Sequence, residues 1–186
     1  MKYSYQNLVL GFGFFVVCSG SIQADSLPIL LEKNDGIELE KQNDYLGALV
    51  RFKVDLAVME KIHEQHPDWN QQIVTTALAD YREKIAKLEP LANKQFRDRT
   101  SGPTDSGFYF SSLLYDNGLK EPDTWRAMND IEEYLTTLEF IQREDPQWET
   151  GRVRDRIKSC ELEMDRLEEI AIKTLIKHPD DGHTVQ

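Results

Sequence analysis

Cysteine is almost missing from this chain: Cys18 and Cys160 are its two thiols. If the N-terminal stretch that carries Cys18 is removed, no intramolecular disulfide can form, and the fold must rest on packing alone. Basic residues are outnumbered, with 22 Lys and Arg against 33 Asp and Glu and a formal net charge of −11. Phosphate backbones and anionic lipid surfaces repel such a chain, so nucleic-acid binding and nonspecific membrane adhesion are disfavoured. There is no Gly-rich phosphate loop, no Ser nucleophile elbow and no Cys–His constellation at an identifiable spacing, so the sequence gives an enzyme no support. No segment alternates apolar and polar residues as a half-buried strand would. An all-α, non-enzymatic protein without a cofactor is expected.

The N-terminal stretch stands apart. Met1 to Ala24 holds one lysine, Lys2, then an apolar run from Leu8 to Val17, then Ser19, Gly20 and Ser21. That is the layout of a secretory signal peptide cut after Ala24. The run falls short of the ~20 apolar residues that span a bilayer. Export to a periplasm or to the exterior is therefore the expectation, and loss of Lys2 takes the charge from −11 to −12. Membrane association would require lipidation of Cys18, and Phe15-Val16-Val17 before it lacks the Leu-small-small pattern of a lipoprotein signal.

What remains repeats itself at one fixed offset, the distance from Ala48 to Ala127. Ala48, Leu56, Ile62, Pro67, Trp69, Val74, Leu78, Leu88 and Glu89 are answered by Ala127, Leu135, Ile141, Pro146, Trp148, Val153, Ile157, Leu167 and Glu168. A long internal period points to repeated helical units. Within the first, Leu27 to Gln42 reads as a short mixed segment, a helix interrupted or closed near Asn34-Asp35-Gly36. Asn43-Asp44 caps a long helix with Ala48, Phe52, Leu56, Met59 and Ile62 on one face, stopped by His66-Pro67. Asn70 caps a second helix, with Val74, Leu78, Tyr81, Ile85 and Leu88, which Pro90 closes or kinks. Residues 91–107 read as a linker, since Asp98 to Gly107 is rich in turn formers. Phe108 to Tyr115 forms a short aromatic helix. Asp123 then caps a helix running to Pro146, and the last helix runs from Glu149 to about Lys177. The predicted organisation is a signal peptide (1–24), a first unit (25–90), a linker (91–107), a second unit with an extended last helix (108–178) and a disordered tail (179–186).

Asp44-Tyr45-Leu46-Gly47-Ala48-Leu49, with Phe52, Leu56 and a terminating Pro67, resembles the second helix of a tetratricopeptide repeat. The helix is longer here than the family's usual one, and Trp125 and Arg126 replace Leu46 and Gly47 in the second copy. The resemblance implies two degenerate units of an extended variant: antiparallel helix pairs in a right-handed stack whose concave face binds peptides or proteins. The competing architecture is a closed four-helix bundle with contacts between all long helices.

His63 and His66, one helical turn apart, are the candidate metal pair for the rival function, a metal-binding or metal-dependent hydrolytic protein. Two histidines without further ligands are an incomplete site, and the second copy has Gln142 and Asp145 there. Trp69 and Trp148 read as staples of the helix corners. Cys160, in register with Tyr81, reads as a buried inert thiol. Phe108, Tyr109, Phe110 and Tyr115 form the best candidate interaction surface, against a plainer reading in which they plug the core. The expected function is a scaffold or adaptor for an envelope or secreted protein. The last helix continues its apolar stripe through Ile170, Ala171, Ile172, Leu175 and Ile176; these residues either cap the first unit or join two chains as a homodimer, and the homodimer is preferred.

Overall fold

The computed structural model describes residues 35–100, 105–148 and 150–177, the side chains of 100–111 and 177 excepted. Among the described residues every regular element is a helix: α1 (35–41), α2 (Tyr45–Gln65), α3 (Gln71–Thr100), α4 (Asp105–Gly118), α5 (Thr124–Glu144) and α6 (Thr150–Lys177). The chain is all-α. The signal-peptide and C-terminal tail expectations lie outside the described residues.

The helix boundaries follow from local chemistry. Asp44 and Asp123, equivalent in the two units, are the N-caps of α2 and α5; their carboxylates accept from the amides of Gly47 and Arg126. Each satisfies an orphan donor of the first turn, a contribution of about 1 kcal/mol. Equivalent C-caps, His66 and Asp145, precede the two prolines. Asn43 and Asn70 sit at positive φ, 60° and 43°, in the connections before α2 and α3. Asparagine tolerates that left-handed conformation better than most residues.

Asp35 and Gly36 lie within α1, and the residues before them are outside those described. Gly36 is there because the backbone touches the buried Phe52 ring, which a Cβ would meet at 2.9 Å. More of the linker is helical than expected: α3 runs through Pro90 to Thr100, and α4 begins at Asp105. Proline inside a helix costs ~3 kcal/mol through a lost hydrogen bond and a steric clash. The stripe of Leu88, Ala92 and Phe96, all buried, continues the apolar face beyond Pro90 and offsets that cost.

The long helices form two antiparallel pairs, α2 with α3 and α5 with α6, and α4 lies on α5. One contiguous core joins them, centred on Phe52, Met59 and Tyr81 in the first unit and on Met128, Ile131, Tyr134 and Leu138 in the second. Gly118 lets α4 approach closely, since a Cβ there would lie 2.7 Å from Ile131.

The pairs meet through α2, which packs on α5 and α6. Lys61 and Gln65, near the C-terminus of α2, reach Asp165 and Glu169, deep into α6. Arg143 and Glu144, at the C-terminus of α5, reach Glu89 and Asn93 of α3. The corner at Pro67 therefore lies at one end of the molecule and the corner at Pro146 at the other. Inner helices α2 and α5 run antiparallel, so the units are related by an approximate two-fold axis. A closed bundle with substantial contact between every pair of long helices is not formed, because α3 and α6 make at most a marginal contact among the described residues. The apolar extension of α6 is largely consumed within the chain: Ala171 and Ile172 are buried, and Leu175 and Ile176 pack against the core, while Ile170 stays exposed.

Candidate functional site

The seam between the units carries the most unusual chemistry. Lys53 of α2 projects onto α5, with Nζ 3.1 Å from Glu132, 2.8 Å from Glu139 and 3.0 Å from the Thr136 hydroxyl. Thr136 in turn donates to Glu132 at 3.0 Å, which closes the network. The Glu132 side chain is 8% exposed and that of Lys53 21%. Burial pushes the Glu132 carboxyl above its ordinary range, against the pull of Lys53. Burial alone would lower Lys53, but Glu132 and Glu139 together hold it above its ordinary value. A lysine so held stays charged at neutral pH and has no free amine for base or Schiff-base chemistry. Lys53 is an anchor.

Farther along α2, Lys61 lies 2.7 Å from Asp165 and 3.4 Å from Glu168. This draws α6 onto α2 and closes that flank of the seam. On the other flank Phe140 stands at the position equivalent to Lys61 and cannot pair with Glu89, the equivalent of Glu168. Phe140 is buried instead against Phe96, with ring centroids 5.7 Å apart. Glu89 is held one turn later by Arg143, at 2.7 Å, whose guanidinium lies over the Phe140 ring. α3 stands off from α5, leaving an open groove of about 500 Å³ lined by Lys53, Ile85, Glu89, Glu139, Gln142 and Arg143. Sequence reasoning missed this groove. Its residues come from three helices and share no motif; the one available signal was the replacement of Lys61 by Phe140 between copies.

The aromatic cluster is only partly described. Phe108, Tyr109 and Phe110 lie on α4, and their side chains fall outside the described residues. Tyr115 is half-buried, its ring 5.8 Å from that of Tyr134 and beneath Arg156. Burial raises its phenol above the ordinary value. That residue belongs to the packing between α4, α5 and α6. His63 and His66 are both exposed, and no group of three metal-ligating side chains forms among the described residues. Trp69 and Trp148 pack half-buried against the core at the two corners. Cys160 is buried, and burial, with Glu132 nearby, pushes its thiol up to about 12. No described helix is long and apolar enough to cross a membrane.

Compared with protein-family models, curated proteins and solved structures, the chain matches none.

Proposed function

We propose that the chain is an exported, non-enzymatic interaction module, a scaffold or adaptor that holds a segment of another envelope or secreted protein. The observation that carries this reading is the groove between α2, α3 and α5. Small-molecule sites are lined predominantly by apolar and aromatic side chains. This groove has one aliphatic residue, Ile85, beside two cation–carboxylate pairs, Lys53–Glu139 and Arg143–Glu89, one turn apart along α5. Alternating charge of that kind suits a polar peptide segment of mixed sign better than a polyanion or an apolar metabolite. The signal-peptide layout of residues 1–24 supports export.

The test is affinity capture from native envelope extract with the wild type and with Arg143→Glu, which reverses the charge at the groove's rim. The proposal expects a protein co-purifying in stoichiometric amount with the wild type and at least tenfold less with the variant. No stoichiometric partner, or capture indifferent to Arg143→Glu, would overturn it.

A further inference from the structure

The approximate two-fold relation makes two flanks counterparts, one between α2 and α6 and one between α5 and α3. Lys53 and its own counterpart, Glu132, touch between them. On the first flank the chain supplies its own cation. Lys61 lies 2.7 Å from Asp165, 3.4 Å from Glu168 and 3.5 Å from Glu169, and it draws α6 onto α2. On the second flank Phe140 takes the place of Lys61 and packs on Phe96. The carboxylates remain there without that cation. Glu89, the counterpart of Glu168, and Glu139 are half-buried and line the groove. Glu89 Oε1 accepts from Arg143, and Glu139 Oε2 accepts from Lys53. The other oxygen of each carboxylate has no partner among the described residues. Lys53 directs its three protons at Glu132, Glu139 and Thr136 and has none to spare for a ligand. Ile85 in the same lining offers apolar surface on which an alkyl stem can lie.

We propose that the groove receives a basic side chain, arginine or lysine, from the partner segment. That side chain donates to Glu89 and Glu139, and it supplies from outside the cation that Lys61 supplies from within on the other flank. This rests on the groove being the seat of a segment of another protein, and it names the residue that the segment carries. The formal charge of −11 steers a cation toward the chain. Arg143 spends one nitrogen on Glu89, and its remaining N–H groups suit an acidic residue elsewhere in the same segment.

The probe is acetyl-Gly-Arg-Gly-amide, with the citrulline peptide as its neutral isostere, titrated into the isotopically labelled chain and followed by NMR. The arginine peptide should shift the Gln142 side-chain amide and the Ile85 methyl signals saturably. It should bind about tenfold more tightly than the citrulline peptide, the effect of two partly exposed charge pairs. Glu89→Gln and Glu139→Gln should each weaken it about threefold, whereas Glu64→Gln, which removes the same charge from an exposed place on α2, should leave it unchanged. Equal binding of the citrulline peptide, shifts that bypass Gln142 and Ile85, or a loss with Glu64→Gln matching that of the groove variants would overturn the proposal. Arg143→Glu separates it from the wider reading. That variant removes the cation competing for Glu89, so the probe should bind at least as tightly as to the wild type while capture of the envelope partner falls. Probe binding without a captured partner would refute the wider reading alone; a captured partner without probe binding would refute the basic side chain alone.

Discussion

Replacing Lys53 by Met removes one cation from the seam and leaves the Glu132 carboxylate, 8% exposed, with Thr136 as its remaining hydrogen-bond partner. Breaking a buried ion pair from one side costs about 3–5 kcal/mol, because the surviving charge is uncompensated. Glu132 can limit that cost by taking up a proton, since burial already holds its carboxyl above the ordinary range. Each unit by which its pKa still lies below the ambient pH costs about 1.4 kcal/mol. The variant should therefore lose ~3 kcal/mol near neutral pH and under ~1 kcal/mol near pH 5. With a urea m-value of roughly 2 kcal/mol/M, the neutral loss moves the midpoint down by about 1.5 M at unchanged m. Circular dichroism at the helix minimum across a urea series at both pH values reads it directly. Lys53→Met/Glu132→Leu, which removes both charges, should return to within about 1 kcal/mol of the wild type. A single variant with the wild-type midpoint at neutral pH, or a double variant as unstable as the single, would refute the reasoning.

Gly118→Ala places a methyl 2.7 Å from Ile131 and 3.1 Å from the Ala127 carbonyl oxygen, so it should cost ~1–3 kcal/mol by thermal denaturation through forcing α4 off α5. Wild-type stability should rise as pH falls from neutral toward the ordinary carboxylate range. Burial raises Glu132 and Glu168 in the folded state, so the folded chain binds more protons than the unfolded one in that window, and Glu132→Gln should flatten the rise. The Cys160 thiol, pushed up to about 12, should react with a thiol reagent only as fast as the chain opens; rapid labelling of the native protein would contradict its burial. N-terminal sequencing of the exported protein should begin at Asp25, and retention of Met1 would remove the export reading.

The elements were legible where one rule governed them. Asp44 and Asp123 announced the starts of α2 and α5, and Pro67 and Pro146 their ends, because capping and proline sterics act within one turn. The turn formers within residues 91–107 misled the reading, because local preference was outweighed by packing through Ala92 and Phe96. The fixed offset between Ala48 and Ala127 revealed two like units but not the operation that relates them. A translation and a two-fold rotation leave the same trace in sequence. What separates them is Lys53 touching its own counterpart, together with Lys61 reaching Asp165 of α6 while Arg143 reaches Glu89 of α3. Those facts depend on which faces of α2 and α5 meet, and periodicity within a single helix does not encode that choice.

The groove and the charge pattern of the seam both require the two units to meet with α2 and α5 antiparallel. Spin labels at exposed His66 and Gln147, with both native cysteines replaced by alanine, test that claim most directly. Each site marks a corner between two long helices, and α5 is 21 residues long, which at 1.5 Å per residue is about 30 Å. An antiparallel meeting sets the corners at opposite ends, and pulsed dipolar spectroscopy should give a distribution centred at about 30 Å or beyond. Like-directed units would put the corners on neighbouring helix ends, roughly 10 Å apart before the reach of the labels is added. A distribution centred below about 20 Å would contradict the account.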